Sequence, residues 1–168
     1  AGQYLFDKES SVPSHVYTAN EFVYDTPKNL CEKSVVISCS HSGNTPETVA
    51  ATKLARSKGA ITICLSNLEG SPLWEAAEYP VHYDWGKDVS DSDKNKGILY
   101  GLLFKLLGVL AADAKWDICF KELEKLTELS TKAKEQYDAQ AKQWAKDNKR
   151  KKTIYTIGSG INYGEVYS

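Results

Sequence analysis

A chain of 168 residues with 42% hydrophobic content holds enough apolar material for one ordinary core, and its length suits one domain or slightly more. Its 21 basic and 22 acidic side chains leave a formal charge of -1, so no net field exists to grip a nucleic acid or a membrane surface, and nucleic acid is excluded as the main partner. The longest apolar run, Gly97 to Ala112, carries Lys105 and three glycines and falls short of the roughly 20 residues a bilayer demands, so no membrane segment is expected.

No basic and apolar leader opens the sequence, and Cys31, Cys39, Cys64 and Cys119 lack the paired spacing of metal ligands. The expectation is a reducing, cytoplasmic setting with four free thiols. The chain contains no methionine, which leads us to expect an internal fragment of a longer protein.

In chain order, Val16-Tyr17-Thr18-Ala19 is a short β-prone run, and Asn20 is a candidate helix cap ahead of Glu21-Phe22-Val23. Ser34-Val35-Val36-Ile37-Ser38-Cys39 is nearly all apolar and rich in β-branched residues, which predicts a central strand buried on both faces of a parallel sheet. Thr45 is predicted to cap a helix that begins at Pro46, where a missing N–H is harmless, with Glu47 at the positive start, Arg56 and Lys58 at the negative end, and Gly59 as the stop. Ile61-Thr62-Ile63-Cys64-Leu65 is the next strand. Ser71-Pro72-Leu73-Trp74-Glu75 repeats the pattern of a cap followed by proline, and Val81-His82-Tyr83 is a further strand.

Strands alternating with helices at this spacing predict βαβ units, a parallel sheet and an α/β three-layer sandwich. From about Lys94 the sequence turns helical, first over the apolar Ile98 to Ala112 and then over the charged, amphipathic Asp117 to Asn148, with Leu123, Leu126 and Leu129 as its apolar stripe. The first of these is apolar nearly all round, a face that must be covered by protein, so a homo-oligomer is expected. Thr153-Ile154-Tyr155-Thr156-Ile157 reads as a new strand running into the glycine turn Gly158-Ser159-Gly160.

The segment between the buried strand and Pro46 carries the chemistry. A phosphate ester needs several donors converging from a tight loop with a helix start behind them. Ser40, Ser42 and Thr45 supply hydroxyls, Gly43 lets the backbone turn and approach closely, and the amides from Asn44 onward sit at the helix start. Such a cradle needs no metal and no cofactor. A serine or threonine before a helix most often only caps it. Here the whole string Ser40-His41-Ser42-Gly43-Asn44-Thr45-Pro46-Glu47-Thr48 follows a buried strand and points to ligand binding.

This string resembles the phosphosugar-binding motif of sugar isomerase (SIS) domains, as found in the isomerase half of glucosamine-6-phosphate synthase and in fructosamine-6-phosphate deglycases. The resemblance extends through Asn20-Glu21-Phe22, Thr26-Pro27, Lys58-Gly59-Ala60, Ser71-Pro72-Leu73 and Tyr83-Asp84-Trp85, and resumes at Ile157 to Tyr167. The deglycase branch is the most similar. The resemblance implies phosphate ligation by Ser40, Ser42 and Thr45, with backbone help from His41, Gly43 and Asn44. It implies a tandem arrangement: a first SIS domain over residues 1–115 that lacks its first strand, a helical connector over 116–152, and the start of a second SIS domain over 153–168. The general-base glutamate of catalytic members is then expected beyond Ser168, so no catalytic residue is assigned and the chain as it stands is expected to bind without catalysing.

Other residues carry less. His41 is expected to serve the loop through its N–H rather than as a catalytic group. His82 reads as a sheet residue and His15 precedes a strand, and neither supports a metal site. Asp88 to Asp93 is spaced unlike a calcium loop, with Asp93 at the sixth position and Leu99 at the twelfth, and reads as a polar loop bordering the cleft. Lys146 to Lys152 reads as a solvated helix end, and Glu165 as an ordinary carboxylate near a helix start. The function implied by the resemblance is an enzyme on a sugar 6-phosphate or its amine adduct, a fructosamine-6-phosphate deglycase or a related isomerase. The alternative is a non-catalytic SIS sensor that binds the same ligand.

Overall fold

The computed structural model describes residues 2–84, 97–111 and 115–159. They fall into two compact units, one of the described residues between His15 and Tyr100 and one that joins residues 2–14 to the described residues from Gly101 to Ser159.

The first unit is built on a parallel sheet of β1 (Val35–Cys39), β2 (Ile61–Ser66) and β3 (Tyr79–His82), in the order β1-β2-β3. The register pairs Val35 with Ile61 and Ile63 with Tyr79. Helix α3 (Pro46–Ser57) crosses from β1 to β2, and α4 (Pro72–Ala76) from β2 to β3. Ser38 and Cys64 are register partners and so share a face of the sheet. Cys64 packs against Leu73 of α4 and Val49 of α3, which places both helices over that face. Ala51, Ala55 and Ala60, with Phe22 of α2 (Ala19–Tyr24), form the neighbouring cluster. Two buried hydroxyls cross this layer: Thr52 gives its proton to the Thr48 carbonyl at 2.8 Å, so Ser38 is the donor in their 2.7 Å bond. The parallel α/β fold expected from the sequence is therefore the fold found.

Four expectations need correction. Val16–Ala19 is not a strand. Val16 and Tyr17 are exposed, and Thr18 is the N-cap of α2, its hydroxyl accepting from the Glu21 N–H while Glu21 reaches back to the Thr18 N–H. That reciprocal capping box displaces Asn20 as the cap. β1 is not buried on both faces either: among the described residues it pairs only with β2, Val35 is 47% exposed, and β2 takes the central place. β3 runs from Tyr79 to His82, starting two residues and ending one residue earlier than expected. Thr153–Ile157 has no ladder, and Ile154, Tyr155 and Ile157 are exposed. β-propensity forms a strand only where another strand supplies the hydrogen bonds, and both misread segments lack one among the described residues.

The second unit is helical. α1 (Gly2–Glu9), which sequence reading missed, is short, and is tied down by Ser14, whose hydroxyl reaches Asp7 Oδ1 at 2.6 Å. α5 (Gly97–Ala111) matches the apolar segment, and the stretch from Asp117 to Asn148 is two helices, α6 (Lys115–Glu124) and α7 (Leu126–Asn148). They part at Lys125, whose N–H bonds the Glu122 carbonyl at 3.1 Å, a tightened turn. A Cβ on Gly108 would stand 2.4 Å from Phe120 Cζ, so glycine allows α6 to lie against α5, with Trp116 buried between Phe104 and Phe120. No helix among the described residues is long and apolar enough to cross a membrane.

Candidate functional site

The loop of interest leaves the carboxyl end of β1, the end at which open α/β sheets bind ligands. Ser40 extends the ladder, its N–H donating to Leu65 O at 3.2 Å, and the chain then turns back, with Gly43 N donating to Ser40 O at 3.3 Å. Gly43 has φ of 64°, in the left-handed region, and its carbonyl accepts from Leu73 N at 3.0 Å. A Cβ there would lie 2.0 Å from Ser71 Oγ and 2.9 Å from Ser66 Oγ. Glycine is thus demanded twice, by the backbone angle and by the close approach of the α4 start.

The hydroxyls expected from the sequence gather here. Ser40 Oγ and Thr45 Oγ1 are 3.2 Å apart, and Ser42 Oγ accepts from Asn44 N at 3.3 Å. Ser42, Asn44 and Thr45 are exposed, Ser40 and His41 half-buried, and Gly43 buried. Thr45 occupies the N-cap position of α3, but its side chain makes no cap bond, contrary to expectation. Since Pro46 has no N–H, the amides that follow it form the positive start of α3 without a side-chain cap.

His41 faces the other way. Its Nδ1 lies 2.8 Å from the Tyr83 hydroxyl, and its carbonyl accepts from Asn67 N at 2.9 Å. Asn67 also donates from Nδ2 to the Tyr83 carbonyl at 2.7 Å. Sequence reading gave Asn67 and Tyr83 no role at the site. Their signal was position: each follows the last residue of a strand, Asn67 after β2 and Tyr83 after β3. His82 Nε2 bonds Asn67 O at 3.0 Å and its Nδ1 lies 3.4 Å from Glu69 Oε1, and His15 lies beside Tyr17. Residues 88–93 and Glu165 lie outside the described residues.

A shallow depression of about 400 Å³, lined by Asn44, Pro46, Val49, Ala50, Lys53 and Pro72, shares only Asn44 with the loop. Its lining is mainly apolar, so the site is defined by converging donors and not by this hollow. Below the loop, desolvation pushes the Cys39 thiol up to about 11, with Cys64 adding to the rise. Cys39 keeps an exposed flank. Burial also raises Cys64, opposed by a hydrogen bond with the Val81 backbone, and raises Tyr83, with Cys39 contributing. These groups are neutral at pH 7, and the thiols are poor nucleophiles there.

The SIS domain family model matches residues 1–104, and the chain belongs to that family. Among its relatives is the fructosamine deglycase FrlB of Bacillus subtilis, 46% identical over 167 residues, which cover 99% of this chain and 51% of that protein. A glutamine–fructose-6-phosphate aminotransferase (isomerizing) of Clostridium acetobutylicum is 29% identical over 96% of this chain and 28% of its own length. A solved Bacillus subtilis structure, provisionally assigned as a phosphosugar isomerase, superposes with a TM-score of 0.87 at 44% identity, covering 99% of this chain and 51% of that one. The chain thus spans about half the length of FrlB.

Proposed function

We propose that the Ser40–Thr45 loop holds the phosphate of a sugar 6-phosphate, and that the whole protein is a fructosamine-6-phosphate deglycase. The observation that carries this reading is the meeting of the Ser40 and Thr45 hydroxyls at a helix start that Thr45 leaves without a side-chain cap, with Ser42 Oγ on the Asn44 amide of the same loop. The similarity to FrlB supports the reaction. In this reading the phosphate anchors the substrate remotely, and a carboxylate beyond Ser168 moves a proton between carbons beside a carbonyl or imine.

The same reading makes residues 1–115 a first SIS domain, 116–152 its connector and 153–168 the opening of a second, which the half-length match to FrlB supports. It places the protein in the cytoplasm, in keeping with four free cysteines, and makes it an oligomer, in keeping with Val109 at 72% and Ile118 at 67% exposure in the helical unit.

The test uses the full-length protein, titrated with fructose 6-phosphate and assayed for amine release from fructoselysine 6-phosphate. Charge-assisted hydrogen bonds are worth roughly 1.5–3 kcal/mol each, so the double variant S42A/T45A should bind the sugar phosphate about 100-fold more weakly. An unchanged Kd would overturn the phosphate assignment. Tight binding with neither amine release nor aldose–ketose exchange would overturn the enzyme and leave the sensor.

A further inference from the structure

We infer that Tyr83 is a positioning residue that holds the His41 imidazole over the carboxyl ends of β2 and β3, making His41 the group that reads what is attached to the phosphate. The inference rests on the reading of the Ser40–Thr45 loop as a phosphate cradle.

Thr45 occupies the N-cap position of α3, and Ser42 Oγ accepts from the Asn44 amide just ahead of it. His41 belongs to the same loop, and its ring meets a hydroxyl 42 residues away in sequence, beyond the far strand. A ligand anchored by phosphate at the α3 start extends over the strand ends, because that is where an open parallel sheet leaves room. The His41 ring lies along that path, half-buried, with its Nδ1 engaged at 2.8 Å and the two rings tilted at 45° with centroids 5.9 Å apart.

Tyr83 is suited to this role because it is itself buried and bonded at both its N–H and its carbonyl. It is 3% exposed, its N–H continues the ladder to Ser66 O at 3.2 Å, and its carbonyl is held by Asn67 Nδ2 at 2.7 Å. Asn67 closes the arrangement by donating its own N–H to the His41 carbonyl, where Ser66 Oγ also reaches at 3.4 Å. His41 is thus gripped at the backbone from β2 and at the ring from beyond β3. A phenol that keeps its proton can donate to Nδ1, and in the tautomer with its proton on Nε2 the 2.8 Å bond runs from the Tyr83 hydroxyl to the ring. Burial helps the phenol keep that proton, since it raises Tyr83 further above neutral pH.

The test compares Y83F and H41A with the parent in the full-length protein, with thermal unfolding as the control for folding. Imidazole ¹⁵N spectra of the ligand-free protein should show one His41 tautomer in the parent and a mixture in Y83F. Fructose 6-phosphate should bind about tenfold more weakly to both variants, whereas inorganic phosphate should change less than twofold. An unaltered His41 spectrum in Y83F overturns the positioning role regardless of ligand. Equal weakening for inorganic phosphate and sugar phosphate overturns the specificity role. Failure of the parent to bind either ligand defeats the phosphate reading, and this inference with it, while the spectra still report on the Tyr83–His41 bond.

Discussion

Two helix starts in this chain carry the same sequence grammar and use it differently. Thr45-Pro46 and Ser71-Pro72 each place a hydroxyl residue before a proline at the end of a strand and loop. Ser71 is 2% exposed, and its hydroxyl accepts from Trp74 N at 3.4 Å, so it caps α4 as the pattern predicts. Thr45 is exposed, makes no cap bond to α3, and instead turns its hydroxyl toward Ser40. One serves the fold, and the other leaves the helix start open to a ligand. The lesson is that a capping motif reports where a helix begins, while burial decides whether the hydroxyl is spent on the helix.

The two starts are bolted together at Gly43, so the comparison breaks most severely there. G43A adds a Cβ 2.0 Å from Ser71 Oγ at a φ of 64°, and the loss of stability should be on the order of 3 kcal/mol, with phosphosugar binding abolished. Thermal unfolding checks it, and a near-normal melting temperature would mean that the loop and the α4 start are not rigidly joined.

A matched pair sharpens the contrast. S71A should cost about 1 kcal/mol of stability as a lost buried cap. T45A should change stability by less than about 0.5 kcal/mol yet weaken fructose 6-phosphate binding about tenfold. Urea unfolding and calorimetric titration of both variants decide the matter, and the same pattern in both would erase the distinction.

The smallest effect concerns the strands beneath the loop. Burial raises Cys39, Cys64 and Tyr83, so the folded chain holds these protons more tightly than the unfolded chain. Their contribution to stability is complete below the unfolded thiol value of about 8.5 and is lost as pH climbs, toward about 11 for Cys39. Melting temperature should therefore fall over that window, and C39S should flatten the slope. A slope identical in C39S would assign the loss to other groups.

Much of this molecule was legible before folding. The strands around Ile37 and Ile63, the helix that Pro46 opens and Gly59 ends, and the hydroxyl loop between them follow from periodicity, proline and glycine chemistry, and a motif of unusual density. These signals are local, carried by residues within a few positions of one another. What failed was also local in kind: Val16–Ala19 and Thr153–Ile157 have strand composition, but a strand is a relation between segments. Tertiary structure alone decided that Thr45 would leave α3 without a side-chain cap, that Gly43 would press on Ser71, and that His41 would meet Tyr83 across 42 residues. The physical reason is that hydrogen bonds and close contacts between distant residues depend on the sheet order and register that bring strand ends together, and no single segment encodes that order.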